Sequence, residues 1–560
     1  MNLLESKDFR LDTTIHDAVL YACGRFPDKD ALIADGGQGK TYSYKRVGEL
    51  ITRIAGGLHQ RGYKKGDRVA IISENCPEWG ITYLAALAAG CIVVPLDVSL
   101  KPNELARFLR VAKVRTLFCS TRWEHDAHEV IALNDLSVDI YLMTFEDGCT
   151  LKTLAEAEAF ITDEVANEDI AVIIYTSGTT GDPKGVILTH HNILGNIDSY
   201  VKSLMMYQED KFLSILPLHH TFEASVGFLF PATAGITIVY GRSLKSRDIL
   251  NDILNNKITF MIGVPLLYEK MYMAITKKIN NLPMLKRTSF RTLYAACKVG
   301  WRLKKRPGLK LFQELRNKAG LGSVRMLVSG GAPLPTRVAE WFNMVGFIFI
   351  NGYGLTECSP VVSFNRPSET EFESVGAPLP GIDIKIDYPA PDGVGEILVR
   401  GENITPGYID NPGATAELLK DGWLYTGDMG KIENGRLIIT GRKKNLIVSG
   451  GGKNIYPEEI EAELNMGDCI LESLVVGRQK ENKAGEDVWA VIVPDIDQIR
   501  IIENIPDGDI EPKKIRALIR AEVDAVNGRI ADYKRINNFE VRLEEFEKTS
   551  TRKIKRRFYQ

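Results

Sequence analysis

The sequence has no strong charge bias, no clustered cysteines and no long hydrophobic run, and each absence removes a class of protein. Lysine and arginine number 70 against 72 acidic residues, a formal net charge of −2, so there is no global basic field to attract nucleic acid. The eight cysteines (Cys23, Cys76, Cys91, Cys119, Cys149, Cys297, Cys358, Cys469) are scattered, without a C-x-x-C pair or a histidine cluster nearby. That argues against a structural metal site and a disulfide framework, and a reducing cytoplasm fits best. The most apolar helical stretch, Ile81 to Ala89, is about half of the roughly 20 residues a membrane span requires. The N-terminal residues show no basic patch followed by an apolar run, so a secretory signal is not expected. Repeats and low-complexity segments are also missing.

Hydrophobic residues make up 44% and charged residues 25% of 560 residues, enough for a large core divided among several structural units. Val69–Ile72, a helical stretch from Glu78 to Ala89 and a second apolar run from Cys91 to Pro95 read as a strand–helix–strand unit of the parallel-sheet kind. Similar runs recur at Ala171–Tyr175, Phe212–Leu216, Thr237–Tyr240, Phe260–Val264 and Arg325–Val328. After about residue 375, short strand-like runs punctuated by glycine and proline take over, such as Gly395–Arg400 and Arg436–Thr440. From about 446 a smaller, charge-rich section begins, with an amphipathic pattern over Pro512–Asn527. The expected organisation is a large α/β body over residues 1–440, a connection at 441–445 and a C-terminal lid over 446–560.

The sharpest local signal lies between Tyr175 and Gly185. Thr176, Ser177, Gly178, Thr179, Thr180 and Lys184 follow an apolar strand directly, and a helix is expected to begin near Thr189. Glycines let backbone N–H groups turn inward, hydroxyls donate hydrogen bonds and the lysine offsets charge, which suits a polyanion. The loop is not a Walker A sequence: Gly178 and Gly181 are too close, and Lys184 precedes glycine rather than serine or threonine.

This loop resembles the signature of the adenylate-forming superfamily, which includes acyl-CoA synthetases, luciferases and the adenylation domains of peptide synthetases. The resemblance runs from about residue 15 to 557 through several motifs in the family's order. It implies a large domain of α/β subdomains with mixed sheets, a small β-barrel-like part and a mobile α+β C-terminal domain. Gly331, Ala332 and Pro333 match the adenine-side loop. Asn351, Gly352, Tyr353, Gly354, Thr356 and Glu357 match a segment whose tyrosine stacks on adenine, whose threonine contacts the α-phosphate and whose glutamate helps to hold Mg²⁺. Thr176 is a second expected oxygen ligand for that ion. Asp428 matches the aspartate that accepts hydrogen bonds from the ribose, and Arg442 a further nucleotide contact.

The implied chemistry joins a carboxylic acid to AMP, releases pyrophosphate and passes the acyl group to coenzyme A. An anionic carboxylate attacking an anionic nucleotide requires neutralised charge along the path. In the family a tail lysine before an apolar residue contributes; Lys553 matches it, although Arg552 stands where glycine is usual. Lys444 matches the hinge about which the C-terminal domain rotates between half-reactions, and Ser449, Gly450 and Gly451 match the loop that then meets coenzyme A.

His220 and Glu223, in Leu216–Glu223, resemble the acyl-pocket mouth of fatty acyl-CoA synthetases, with His220 near the reacting carboxylate. This favours a medium- to long-chain fatty acid. A cyclic or aromatic acid, turnover toward ATP, and a stand-alone amino-acid adenylating enzyme remain open alternatives. Residues 284–310 carry nine lysines or arginines and no acid, interleaved with aromatic and aliphatic residues. They read as a basic amphipathic helix suited either to the inner membrane face or to packing on the body with a solvated face.

Overall fold

The computed structural model describes residues 11–176, 183–367, 371–479, 485–505, 510–549 and 554–559. Two mainly parallel sheets form the body. In the first, strands Asp139–Leu142, Thr116–Cys119, Arg68–Ile72, Ile92–Leu96 and Ile170–Thr176 run parallel, and Lys184–Thr189 closes the edge antiparallel. The apolar strands are buried on both faces, as parallel sheets require; Val69, Ile71, Val93 and Val94 have no exposure.

In the second sheet, parallel strands run in the order Ile348–Gly354, Met326–Ser329, Phe260–Gly263, Lys211–Ser214, Thr237–Tyr240 and Asp30–Ile33, with antiparallel strands at both edges. Helices pack between and around the sheets. Pro77–Ala88 is buried on every side, and Trp79 and Tyr83 stack on one another while Phe228 meets both edge-on. The first core cluster spans both sheets, so they behave as one body around a shared interior.

An antiparallel sheet of Ile382–Asp387, Gly395–Gly401, Trp423–Glu433 and Arg436–Arg442 follows, with the two-residue strand Leu419–Lys420 beside it. This is the barrel-like part that the family resemblance implies, in the region where short strand-like runs were read after residue 375. The last section has its own core of Ile460, Leu464, Val475, Ile492, Ile519 and Phe539. It is built on strands Ile470–Gln479, Glu486–Pro494 and Asn538–Val541 and on the helix Pro512–Asn527.

Lys184–Thr189, unassigned from sequence, is a strand paired antiparallel with Ile170–Thr176, and the helix His190–Val201 begins where expected, capped reciprocally by Thr189 and Asn192. Such a cap contributes about 1 kcal/mol. The basic segment is one helix only over Met284–Arg302; Lys304 takes a left-handed φ of 56° and a short second helix, Gly308–Leu311, follows. No helix among the described residues is long and apolar enough to cross a membrane.

Candidate active site

Parallel strands deliver their C-terminal ends to one side of a sheet, where ligand crevices form. Gly263 pairs with Ser329 and Ser329 with Asn351, so the segments after these strands emerge together. Gly331, Ala332 and Pro333 are exposed in the loop after Ser329. Gly331 takes φ +85° with open space around its α-carbon, a left-handed geometry that favours glycine. A side chain at Gly330 would meet the Phe222 ring at 3.3 Å. That contact brings the Leu216–Glu223 segment against the Gly331–Pro333 loop.

Gly354 has no room for a β-carbon, which would lie 1.8 Å from the Pro360 carbonyl oxygen. This close approach turns the chain into the short helix Thr356–Cys358. Glu357 accepts a hydrogen bond from the Tyr408 hydroxyl at 2.9 Å, and its backbone carbonyl accepts from Thr405 N–H. The same short segment hydrogen-bonds the phosphate-loop hairpin through Ile187 N–H to Gly407 O and Ile409 N–H to Gly185 O. Lys184 Nζ sits 5.1 Å from the centre of the Tyr408 ring. Tyr408 therefore links a loop cation to an acidic oxygen across two subdomains, a role sequence reasoning missed; its only local signal is the Pro406–Gly407 turn before it. Thr176 is paired with Lys184 at the end of the two strands nearest the loop between them. Ser177, Gly178, Thr179 and Thr180 lie outside the described residues.

A second cluster is built on Asp428. Tyr353 donates its hydroxyl proton to Asp428 Oδ2 at 2.9 Å, and Arg442 Nε stands 2.9 Å from Asp428 Oδ1. Asp428 and Arg442 face each other across paired strands, so the antiparallel sheet fixes their contact. Asp428 is buried while Arg442 is about half exposed. Burial and the Asp428 charge push the Tyr353 phenol far above its ordinary range, so it stays a neutral donor.

Lys444 lies in the short turn Lys443–Asn445 that leaves this sheet. It is exposed as a residue, yet enough protein surrounds its ammonium to lower its pKa, and Arg442 and Arg556 add to the effect. Ser449, Gly450 and Gly451 line a cleft of about 400 Å³ with Lys453, Tyr533 and Arg535. Lys553 lies outside the described residues.

In the Leu216–Glu223 segment, His219 Nε2 is 3.5 Å from Asp97 Oδ2, and its ring lies 4.2 Å from that of His220. Asp97, on the loop after Ile92–Leu96, had no sequence signal. Glu223 begins a π-helical stretch, Glu223–Leu229, a geometry that recurs at functional sites. Its carboxyl is fully enclosed, and neither oxygen closes a hydrogen bond among the described residues. Burial pushes it up to about 8, opposed by the nearby Ser214 hydroxyl and Leu216 backbone. A folded pKa raised above an unfolded value near 4.5 means that folding takes up a proton between those pH values, so this group's contribution to stability falls as pH rises from about 4.5 to 8. Glu223→Gln lacks that penalty. Its Tm advantage over the parent is expected to grow across this window and level off above it, with a ceiling of about 5 kcal/mol at roughly 1.4 kcal/mol per pH unit. Thermal unfolding at pH 5, 7 and 9 measures it, and a difference independent of pH contradicts the enclosed neutral acid.

An acid bonded to a tyrosine that also meets a hairpin lysine, and a buried aspartate backed by arginine, fit an ATP-dependent acid–thiol ligase of the acyl-CoA synthetase type. The chain belongs to the AMP-binding enzyme family, whose model matches residues 20–409. A long-chain-fatty-acid–CoA ligase of Bacillus subtilis (strain 168) is 30% identical over 97% of this chain and 93% of its own length. A feruloyl-CoA synthase of an Amycolatopsis species is 30% identical over 81% of this chain and 84% of its own. The crystal structure of ATP-bound MatB from Rhodopseudomonas palustris superposes with a TM-score of 0.74 at 26% identity, covering 97% of this chain and 98% of that one. The enzyme activates a carboxylic acid with ATP in forming an acyl-CoA.

Proposed function

We propose that the acid is a medium- to long-chain fatty acid, adenylated between the Thr176–Lys184 hairpin and the Tyr353–Asp428–Arg442 cluster and then transferred to coenzyme A. The observation that carries the reading is the Lys184–Tyr408–Glu357 arrangement, which sets a cation and a hard oxygen donor beside a loop suited to phosphates. Glu357 with the Thr176 hydroxyl is a donor set that suits Mg²⁺ arriving with ATP, because that ion takes few protein oxygens and keeps water and phosphate around it. When bound, Mg²⁺ supplies charge neutralisation at the phosphates. Asp428 accepts from the ribose hydroxyls with Arg442 fixing its orientation, and Gly331–Pro333 with Tyr353 flank the base.

The fatty-acid assignment draws on the Bacillus relative's name and on the Phe222–Leu229 wall. An amino-acid substrate is disfavoured because Glu223, enclosed and neutral, is a poor counter-ion for an ammonium group. A panel of fatty, aromatic and amino acids, assayed for pyrophosphate release with and without coenzyme A, tests the assignment. Thioester formation fastest with fatty acids supports it, and preference for aromatic acids, as the feruloyl relative's name suggests, rejects it.

The lid division at residues 441–445 belongs to the same proposal. The body stops at 440 and the lid, residues 446–560, turns about Lys444 so that Ser449, Gly450 and Gly451 approach coenzyme A. Lys444→Pro fixes φ near −65° and restricts the preceding residue. Thioester formation is expected to fall at least about tenfold more than adenylation, since only the former requires the turn. Stopped-flow of each half-reaction measures this, and equal effects would refute the hinge.

The helix Met284–Arg302 extends the reading to a membrane surface. Phe290, Leu293, Tyr294, Cys297 and Trp301 pack inward, while Leu285, Val299 and Leu303 are 84%, 59% and 65% exposed and recur at helical spacing beside Arg291, Lys298 and Arg302. Exposed aliphatics flanked by cations suit an anionic bilayer that carries the apolar substrate. Leu285→Glu with Val299→Glu is expected to cut binding to anionic vesicles more than about tenfold and leave octanoate turnover in solution unchanged; undiminished vesicle binding in sedimentation would exclude this face.

A further inference from the structure

Asp97, His219 and His220 bring three metal-binding side chains to one place from two different sheets. Asp97 begins the loop after Ile92–Leu96 in the first sheet, and the two histidines lie in the loop after Lys211–Ser214 in the second. One ligand atom of each residue lies within 4.8 Å of the other two. The backbone that carries the histidines is held on both sides. Asn75 Nδ2 donates to the Leu216 carbonyl at 2.6 Å, and Asn75 Oδ1 accepts Leu218 N–H at 3.0 Å. His220 N–H closes a turn on the Pro217 carbonyl at 3.1 Å.

The carboxylate is aimed as well. Ser99 N–H and the Ser99 hydroxyl both donate to Asp97 Oδ1, at 2.8 and 2.7 Å, so Oδ2 is the oxygen turned to His219 Nε2 at 3.5 Å. That separation is wider than the roughly 2.7–3.2 Å of a good N–H···O hydrogen bond. It is close to the about 3.4 Å that separates two ligand atoms on a tetrahedral Zn²⁺ with bonds of about 2.0–2.1 Å. His219 is buried, while Asp97 and His220 are half-buried. An ion held there can therefore be reached from one side and keep water in its remaining position.

We propose that Asp97, His219 and His220 form a site for one Zn²⁺ ion, which fastens the loops of the two sheets together. Two imidazoles and one carboxylate suit a borderline transition metal, whereas Mg²⁺ takes oxygen ligands, so the ion that accompanies ATP does not compete for the site. Three protein ligands and an open position form a set that Zn²⁺ accepts. The second cluster of this kind among the described residues, His125, Asp126 and Glu129, is exposed throughout on the helix Glu124–Leu133. Ordering three solvated side chains there costs more entropy than at a site already half enclosed. The site stands on its three side chains alone and does not depend on which acid is activated.

The test titrates Zn²⁺ alone into the untagged full-length chain, first stripped by a chelator, and follows heat and Tm. The parent is expected to bind one tight Zn²⁺ per chain, and its Tm to rise with Zn²⁺ above the Kd, because an ion that binds the folded chain stabilises it. Asp97→Asn, His219→Gln and His220→Gln are each expected to weaken that binding at least about tenfold and to lose the rise in Tm. Asp97→Asn keeps the side chain's shape and so remains informative if His219→Gln folds poorly. The double variant His125→Gln with Glu129→Gln is expected to retain both effects. No tight Zn²⁺ in the parent, undiminished binding in Asp97→Asn and His220→Gln, or loss of the tight ion in the double variant alone would each overturn the proposal.

Discussion

Lys553→Ala is expected to lower acyl-adenylate formation by about a thousandfold, while thioester formation from supplied acyl-adenylate changes less than about threefold. The magnitude follows from the step it serves. A carboxylate approaching the α-phosphorus adds negative charge to a centre already surrounded by phosphate oxygens, and a preorganised cation there is worth about 3–4 kcal/mol. In the second half-reaction a thiol attacks an uncharged acyl carbon, so no comparable anion builds up at phosphorus. Among the described residues on either side, Lys555 N–H bonds to the Glu547 carbonyl and the Tyr559 hydroxyl accepts from Glu547 N–H. Single-turnover assays of each half-reaction check the split. Equal losses in both steps would remove Lys553 from the role proposed for it.

Glu357→Gln is expected to slow adenylation about 100- to 1,000-fold and to raise the Mg²⁺ concentration needed for half-maximal rate, because an amide oxygen is a far weaker ligand for a hard cation than a carboxylate. The variant should fold, since glutamine keeps an oxygen that can accept the Tyr408 hydroxyl. It also leaves the Asp428 cluster untouched, so nucleotide affinity without metal should change little. Initial rates of pyrophosphate release across an Mg²⁺ titration decide the matter. A rate loss with an unaltered Mg²⁺ requirement would mean that Glu357 serves only to hold Tyr408 and the loop behind it.

Much of the fold is written in local pattern. Thr237–Tyr240 and the helix Pro512–Asn527 occur as read, because a short continuous apolar run and a period-3.6 pattern report burial directly. Lys184–Thr189 escaped because its first two residues carry the composition of a phosphate loop, and only pairing with Ile170–Thr176 makes them a strand. The site divides the same way. Tyr353, Glu357, Asp428 and Arg442 stand in recognisable motifs, and the structure joins them in two clusters. Tyr408 and Asp97 meet partners that are 51 and 122 residues away, a separation that no window of sequence can read. Glu223 stood out in the sequence within Leu216–Glu223, but its enclosure depends on strands and helices brought together by the second sheet.

The central claim is that the acid's own oxygen becomes bonded to the α-phosphorus of ATP in the crevice between the hairpin and the Asp428 cluster. Turnover of an ¹⁸O-carboxylate-labelled acid with ATP and coenzyme A, followed by mass spectrometry of the phosphorylated products, tests it most directly. One labelled oxygen in AMP and none in pyrophosphate is the predicted result; label in inorganic phosphate with ADP as the co-product would contradict it.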